Sequence, residues 1–269
     1  MLVILPCGFV HNEKHIKEVE LGEMTGYEED ILLDASKGKS NVSLMTEILG
    51  RCIDRIGDLS IETKLDSDRA KRARTFAPLI DKMLMTDRSF LWVKLRESSL
   101  GPDFYFEATC ENCHHIQPRV RTSLAELKVT EMLEEVEEPA EGEEPKEPTP
   151  RAPLEENETK LPSGKVVIWR HLIGSDDAFL AKAQKEKKSE FLSSLLFRRA
   201  LRIDGQKVSS LTHVKSLSTR DRDAFRDAID KVEGGMDTQI ELNCDACGHA
   251  WNLTLPTTQK SFFFPSGVR

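Results

Sequence analysis

The fold is decided by two short stretches, FEATCENCHH at Phe106–His115 and IELNCDACGH at Ile240–His249. Each places a C-x-x-C pair after residues that alternate between apolar and polar, a pattern typical of a metal knuckle at the tip of a β-hairpin. A tetrahedral structural zinc site needs four ligands, and one pair supplies only two. The sequence therefore raises the question of where each pair finds its other two ligands.

The two stretches belong to longer segments that align with each other. Residues 87–115 align without a gap to residues 221–249, with 8 of 29 positions identical. Three blocks upstream recur in the same order: LPCGFV (Leu5–Val10) as LPSGKV (Leu161–Val166), TGYEEDIL (Thr25–Leu32) as IGSDDAFL (Ile173–Leu180), and LMTEILGRCIDRIG (Leu44–Gly57) as LSSLLFRRALRIDG (Leu192–Gly205). Conserved order over four blocks favours an internal duplication over a chance likeness of amphipathic segments.

Both copies have the same predicted plan, which indicates an α+β fold. A short strand leads through the LPxG turn into a first helix, which begins at Thr25, where Thr25 and Glu28 form a capping box, or at Ser175. An alternating strand, the knuckle and a return strand complete each copy. The remaining predicted helix limits are Gly57 or Gly205 for the end of the second helix, and Asp87–Gly101 or Asp221–Gly235 for the third.

A strongly acidic segment separates the two copies. Glu131–Glu158 contains twelve Glu and five Pro against only Lys146 and Arg151. A segment that repels itself and lacks aromatic residues cannot bury enough apolar surface to order. We therefore predict a first half (1–130), a disordered acidic linker (131–158) and a second half (159–269).

The composition is that of a globular protein without membrane spans. The chain has 269 residues, of which 39% are hydrophobic, and no apolar run approaches the length that crosses a bilayer. The opening MLVILPCGFV lacks a basic region and a small-residue cleavage site, so we interpret it as a first strand rather than as a signal peptide. Without export the thiols stay reduced, and paired cysteines then indicate metal binding before disulfide formation.

The duplication suggests where the missing ligands lie. If the halves meet face to face, each knuckle supplies two thiolates to one structural zinc ion per chain. The predicted zinc ligands are Cys110, Cys113, Cys244 and Cys247. Three alternatives remain open: a thioredoxin-like redox pair, two separate sites completed by His115 or His249, and a site shared between protomers. Cys7 and Cys52 lie in apolar surroundings and are predicted to be core residues.

Motifs for catalysis are missing from the sequence. It contains no GxxxxGK[ST] phosphate loop, no HExxH motif and no GxSxG motif. Asp87 and Asp221 are interpreted as acidic residues stabilised at helix N-termini rather than as catalytic acids. A zinc ion with four sulfur ligands also has no open position for water or substrate. We therefore predict no enzyme activity and no catalytic or cofactor-binding residue.

A zinc-ribbon nucleic-acid-binding protein is the alternative function. That role needs a basic surface with aromatic platforms near the knuckles. Glu111 and Asp245 instead lie between the cysteine pairs, where they repel phosphate. The basic stretch Lys182–Arg202 is interpreted as the solvated face of a helix, so nucleic acid is not an expected partner.

Three consecutive aromatic residues lie near the C-terminus, in SFFFPSGVR. Alternate residues of an extended segment face opposite ways, so Phe262, Phe263 and Phe264 cannot all enter one core. We predict that they bind a partner protein. The alternative is a closing strand packed against the body of the protein.

Taken together, the motifs resemble the baseplate hub assembly chaperones and hub proteins of T-even-type contractile-tailed phages and related contractile injection systems. The resemblance rests on LPCGFV followed by KEVELGEMTGYEEDIL, on RCIDRIG, on MLMTDRSFLWVKLRESSLG running into CENC, and on CDACGHAW before the Phe-rich end. It covers both halves but not the acidic segment.

The resemblance implies a non-enzymatic protein in the cytoplasm of the infected cell that helps to build the central hub of a tail baseplate. Its partners would be other hub or tail proteins, without membrane or nucleic acid. Such a protein either leaves after assembly or stays as a hub subunit. Relatives with similar knuckles implicate the same four cysteines and no catalytic residue.

Overall fold

The computed structural model describes residues 1–34, 41–61, 66–132, 151–186, 188–257 and 262–264. Over these residues the protein is a mixed α/β fold with eight α-helices and several small antiparallel sheets. Most of the predicted acidic linker, residues 133–150, lies outside the described residues. The described end of that linker already contains the start of a strand, at Asn157.

The first part of the chain has two short helix pairs, each preceded and followed by strands. Its elements are β1 (Leu2–His11), β2 (Lys14–Leu21), α1 (Gly26–Asp34), α2 (Asn41–Cys52), β3 (Ile53–Ile56), β4 (Leu59–Ser60), α3 (Asp66–Ile80), α4 (Met85–Leu100), β5 (Asp103–Thr109) and β6 (Ile116–Ser123). A two-residue strand, β7 (Val129–Thr130), follows.

The second part has the same succession of strands and helices, apart from the added strand β12. Its elements are β8 (Asn157–Lys160), β9 (Val166–Trp169), α5 (Asp177–Glu186), α6 (Phe191–Arg199), β10 (Ala200–Ile203), β11 (Gln206–Lys207), α7 (Leu211–Lys215), α8 (Thr219–Val232), β12 (Gly235–Met236), β13 (Gln239–Asn243) and β14 (Ala250–Thr254).

Each part contains a four-stranded antiparallel sheet, with the orders β1-β2-β3-β4 and β11-β10-β9-β8. The registers of the two sheets correspond. Val3 lies opposite Val19 in the first sheet, and Thr159 lies opposite Val167 in the second. Val3 and Thr159 correspond when the offset of the LPxG blocks is extended, and Val19 and Val167 correspond when the offset of the next aligned block is extended.

The first hairpin of the first sheet is longer than its counterpart. In the second part the LPSG sequence is itself the turn between β8 and β9. In the first part LPCG forms an irregularity within β1, and the hairpin continues outward through Phe9–Ile16 before it returns. We call residues Phe9–Ile16 the hairpin extension.

The second predicted helix is too long in both parts of the chain. α2 stops at Cys52, and Ile53–Ile56 form β3, so Gly57 lies in the following turn with φ +53°. The same holds for Gly205, which follows β10. The apolar residues beyond Cys52 satisfy a strand as well as a helix, and pairing with β2 provides partners for their backbone groups. Helices α3 and α7 were not predicted.

The first helix of each part begins at a buried carboxylate. The N–H of Thr25 donates to Glu28 Oε2 at 3.0 Å, and the N–H of Ile173 donates to Asp176 Oδ2 at 3.0 Å. Half of the predicted capping box at Thr25 is present: the Glu28 carboxylate accepts the Thr25 N–H, but the Thr25 hydroxyl donates to that carboxylate and the Glu28 N–H donates to Thr25 O. In the second part a 3₁₀ turn at Gly174–Asp176 precedes α5, so the α-helix begins two residues after the predicted start.

Arginine pairs neutralise both of these carboxylates. Arg51 and Arg69 donate to Glu28 at 2.8 and 2.9 Å. Arg170 and Arg198 contact Asp176 in the same way. Despite complete burial, these hydrogen bonds and charges hold the pKa of both carboxyls below its ordinary value.

The two cores are built differently. The second core groups residues from Leu161 to Val232, around Trp169 and Phe225. The first core contains Trp92 and Phe104 from its own part, together with Leu255, Phe262 and Phe263 from the C-terminal region. The end of the chain therefore completes the core of the first part.

Several backbone contacts join the two parts directly. β7 pairs with β12, with Val129 opposite Met236. The N–H of Met85 donates to Leu172 O at 3.0 Å, and the N–H of Gly174 donates to Met83 O at 2.9 Å. These bonds add to the contacts made by side chains and fix the parts as one body.

Arg88 is the central side chain at this junction. It is buried, donates to Gly174 O at 3.0 Å and to Thr46 Oγ1 at 2.8 Å, and pairs with Asp177. A Cβ atom on Gly174 would lie 2.6 Å from Arg88 Nη1 and 2.8 Å from Ile80 O. Position 174 thus requires glycine because of this close approach.

Candidate metal centre

Two β-hairpins form the frame of the site. β5 pairs with β6, β13 pairs with β14, and both pairs are antiparallel, as predicted. Their inner faces pack together through Ala108 of the first hairpin and Leu242 and Trp251 of the second. This packing brings the two hairpin tips, and therefore the two C-x-x-C pairs, side by side.

The two tips have the same hydrogen bonding. The N–H of Cys110 donates to His115 O, and the N–H of Cys244 donates to His249 O, both at 2.9 Å. In the second tip Gly248 takes a left-handed conformation, φ +71°, as its glycine predicts. His114 takes the same conformation, φ +58°, in the first tip without the advantage of a glycine.

The four sulfur atoms form one cluster. Cys110 Sγ lies 3.8 Å from Cys247 Sγ, and Cys113 Sγ lies 3.6 Å from Cys244 Sγ. All four atoms lie within 4.8 Å of one another. A tetrahedron of sulfurs around zinc at about 2.3 Å has edges of about 3.8 Å, so the spacing fits this group.

The chemistry of the donors also fits a soft divalent ion. All four cysteines are free thiols, since their separations far exceed the about 2.05 Å of a disulfide bond. Cys110 and Cys244 are buried, whereas Cys113 and Cys247 are exposed. The N–H of His249 lowers the pKa of the Cys247 thiol, whereas contact with Cys247 raises the pKa of the Cys113 thiol despite the N–H of His115, so Cys247 is the sulfur of this pair that loses its proton first.

The neighbouring polar residues brace the two tips. His115 Nε2 lies 3.1 Å from Asp245 Oδ1, and Gln117 Nε2 donates to Asn243 O at 3.3 Å. Each contact joins one hairpin to the other. Among the described residues no histidine joins the sulfur cluster, which leaves His115 with a supporting position.

The other cysteines lie in the core, as predicted. Cys7 and Cys52 are fully buried. Burial raises the pKa of each thiol to about 12. Neither thiol is therefore a reactive nucleophile near neutral pH.

The predicted partner-binding aromatics are mostly inside the molecule. Phe262 and Phe263 are buried, and Phe264 is half-buried. The Phe262 ring contacts Phe104 edge-on at 5.2 Å, and its carbonyl accepts from Arg96 Nε at 3.1 Å. These contacts are those of a segment packed against the body, and partner binding stays a prediction.

The sequence did not predict that the aspartates near the start of α4 and α8 accept hydrogen bonds from the LPxG sequences. Asp87 Oδ1 accepts the N–H of Cys7 at 2.9 Å, and Asp221 Oδ1 accepts the N–H of Ser163 at 3.0 Å. Both donors are the third residue of an LPxG sequence. The presence of both LPxG and Asp-Arg in each part of the chain was the signal that could have indicated this contact.

Together the fold and the sulfur cluster define a mixed α/β protein whose two parts meet at a four-cysteine centre suited to a metal ion. In the described residues no helix is long and apolar enough to span a membrane. The chain belongs to the family described as T4 bacteriophage base plate protein, which matches residues 9–264. Neither a curated protein nor a solved structure matches the chain at a significant level.

Proposed function

We propose that the chain is a non-enzymatic, zinc-stabilised assembly or structural protein of the baseplate hub of a contractile phage tail. It acts either as a hub assembly chaperone or as a retained hub subunit, first in the cytoplasm of the infected cell and, if retained, in the tail baseplate. Family membership supports the baseplate setting. The observation that carries the structural role is the cluster of four sulfurs drawn from both parts.

The proposed cofactor is one structural zinc ion per chain. Its ligands are Cys110, Cys113, Cys244 and Cys247. A site of this kind contributes about 10–16 kcal/mol of apparent binding energy, which is comparable to the stability of a whole domain. Because its ligands come from both parts, that energy would hold the parts together.

The proposed organisation is an internal duplication, with halves at 1–130 and 159–269 and an acidic linker at 131–158. Four structural parallels support it: the order of elements, the sheet registers, the aspartate contacts to LPxG, and the knuckle hydrogen bonds. Both sheets also skip one residue opposite the same step of the neighbouring strand, Asp54 opposite Glu20–Leu21 and Leu201 opposite Ile168–Trp169, although the block alignment places Leu201 opposite Ile53. Unrelated sheets have no reason to share such an irregularity.

An enzymatic role has no support in the proposed site. Zinc with four thiolate ligands offers no position for substrate. The proposed partners are other hub or tail proteins, and Phe264 is the member of the Phe262–Phe264 set best exposed to meet one. The nucleic-acid alternative is opposed by Glu111 and Asp245, both exposed at the tips where phosphate would approach.

Co-expression tests this function. The tagged, full-length chain is purified from cells that also make the hub and tail proteins of the same phage. We expect one or more of them to co-purify at a fixed ratio, and one zinc ion per chain. A folded, zinc-loaded chain that captures none of these proteins would contradict the proposal, and two zinc ions per chain would contradict the shared site.

A further inference from the structure

Strand β1 is an outer strand of its sheet. β2 pairs with one side of β1, and no strand among the described residues pairs with the other side. Outer strands present unpaired N–H and C=O groups, which can pair with a strand of another chain. We call residues Met1–Leu5 the free edge, because at the next residue, Pro6, the carbonyl already accepts the N–H of Met132 at 3.3 Å.

The pairing with β2 determines which backbone groups of the free edge point outward. The N–H of Leu21 donates to Met1 O at 2.8 Å, and the register stays regular from Leu2 to Ile4. In an antiparallel pair, residues that bond to the neighbouring strand alternate with residues whose backbone groups face away from it. The odd-numbered residues therefore bond to β2, and the N–H and C=O of Leu2 and Ile4 are directed to the open side.

The outer strand at the corresponding place in the second sheet, β8, has charged side chains where the free edge has apolar ones. When the offset of the LPxG blocks is extended, Leu2 and Ile4 correspond to Glu158 and Lys160. Charged side chains on an outer strand oppose pairing with another chain. Leu2 is 56% exposed and Ile4 is 50% exposed. The first sheet thus lacks the protection that the second sheet has.

The composition of the free edge favours an identical strand as its partner. Its sequence, MLVIL, has no charged residue, no Gly and no Pro. Short segments of high β-propensity and low charge pair readily with copies of themselves. A charged partner strand would find no free counter-charge, because the nearest carboxylates, Glu18 and Glu20 on β2, face Arg55 on β3.

We propose that two copies of the chain pair through their free edges, antiparallel, about a two-fold axis at Val3. In this register Leu2 of each copy lies opposite Ile4 of the other copy. Each of these two residue pairs exchanges two backbone hydrogen bonds, so all the outward groups of Leu2 and Ile4 are used. The contact is the same patch on both copies, and it joins two four-stranded sheets into one sheet of eight strands.

The side chains are compatible with this register. Leu2 and Ile4 of both copies would form one apolar cluster on the exposed face, which removes four half-exposed side chains from water. Glu18 and Glu20 of one copy would lie about 14 Å, or three strand spacings, from those of the other, beyond the Debye length of about 8 Å. Five residues per copy are far fewer than the about 20–30 of a stable interface, so the dimer should form reversibly.

Sedimentation of the full-length, zinc-loaded chain at rising concentration tests the proposal, and we expect a monomer–dimer equilibrium. Leu2→Glu and Ile4→Lys introduce the residues found at the corresponding positions of β8, and each should weaken the dimer about tenfold or more. Leu192→Glu is the matched control, because Leu192 is 59% exposed on α6, and it should leave the dissociation constant unchanged. Zinc content and thermal unfolding check that every variant is folded.

A mixture of the two edge variants tests the register. When a chain with Leu2→Glu pairs with a chain with Ile4→Lys, the introduced carboxylate lies opposite the introduced ammonium group. Opposite charges across a strand pair attract each other, so the mixture should form more dimer than either variant alone. A mixture that forms no more dimer than its components would overturn the proposed pairing.

Other results would also overturn the proposal: a native chain that stays monomeric at every concentration, or a dimer that both edge variants leave intact. So would a monomeric native chain that captures a hub or tail protein and loses it on Leu2→Glu, because the free edge would then bind a different protein. The inference does not rest on the proposed function. A chain that dimerises through the free edge but captures no hub or tail protein would refute that function and support the pairing.

Discussion

Asp87 and Asp221 make the same contact in two different surroundings. Each opens the long helix of its part and accepts the N–H of the third residue of an LPxG sequence. Burial raises the pKa of Asp87 to about 7, whereas the N–H of Ser163 holds the pKa of Asp221 below its ordinary 3.8. The repeated sequence thus sets the contact, and the packing around it sets the charge.

The surroundings differ because residues from other regions of the chain pack into the first part. Met132 lies buried against Cys7 and Leu84, beside Asp87. Phe262 and Phe263 fill the core of the same part, while the second core uses only its own residues. The core of the first part therefore depends on residues from the C-terminal region, whereas the second core does not.

The largest expected effect concerns the metal centre, to which both parts contribute ligands. Cys110→Ser and Cys244→Ser each remove one of four ligands, one from either part. We expect both variants to lose the zinc ion and several kcal/mol of stability, because the shared ion no longer clamps the parts. Metal analysis and chemical denaturation measure both effects.

Cys7→Ser is the matched control for these variants, because Ser163 occupies the corresponding position. It should keep one zinc ion per chain. Retention of zinc by Cys244→Ser with loss only in Cys110→Ser would show that the parts do not share the site.

The next largest effect concerns the core of the first part, which includes residues from the C-terminal region. Phe262→Ala should cost about 3–5 kcal/mol, as for other buried aromatics. The lost stability is that of the first part, so the rate of amide hydrogen exchange should increase much more in α4 than in α8. Phe264→Ala, which removes a half-buried ring, is the control and should cost clearly less. Equal acceleration in both helices would contradict the dependence of the first part on the tail.

The two aspartates provide a pH test. With a folded pKa of about 7 and an ordinary value of 3.8, Asp87 binds its proton more tightly in the folded state. Stability therefore falls as pH rises from about 4 to about 7 and is level above that range. Asp87→Asn keeps an acceptor but cannot ionise, so its stability relative to the native chain should rise across this window in denaturation curves.

Asp221→Asn is the contrasting variant. The lowered pKa of Asp221 gives stability that is present above pH 4 and lost only as pH falls through the folded pKa. Its difference from the native chain should therefore stay constant between pH 5 and 7.5. Parallel slopes for the two variants would show that both aspartates have the same surroundings.

The smallest expected effect concerns the knuckle tips. His114 holds a left-handed conformation that Gly248 adopts freely. His114→Gly should stabilise the chain by up to about 1 kcal/mol, and Gly248→Ala should destabilise it by a similar amount. Thermal unfolding of the zinc-loaded variants measures both, and a destabilised His114→Gly would indicate that the imidazole has its own role.

Local patterns in the sequence predicted much of the site. The cysteine spacing and the alternating strands were sufficient to place Cys110 and Cys244 at facing hairpin tips. The end of α2 was missed because Ile53 and Ile56 fit a helical stripe as well as a strand, and only pairing with β2 decides between them. The burial of Phe262 was left open because it depends on contacts with Arg96 and Phe104, which are far away in the sequence.

The position of Phe262 also sets the order in which the protein matures. A domain that emerges first from the ribosome usually folds first. Here the core of the first part includes Leu255, Phe262 and Phe263, which are synthesised after the whole of the second core from Leu161 to Val232. The first part therefore cannot complete its core until the second part has been synthesised.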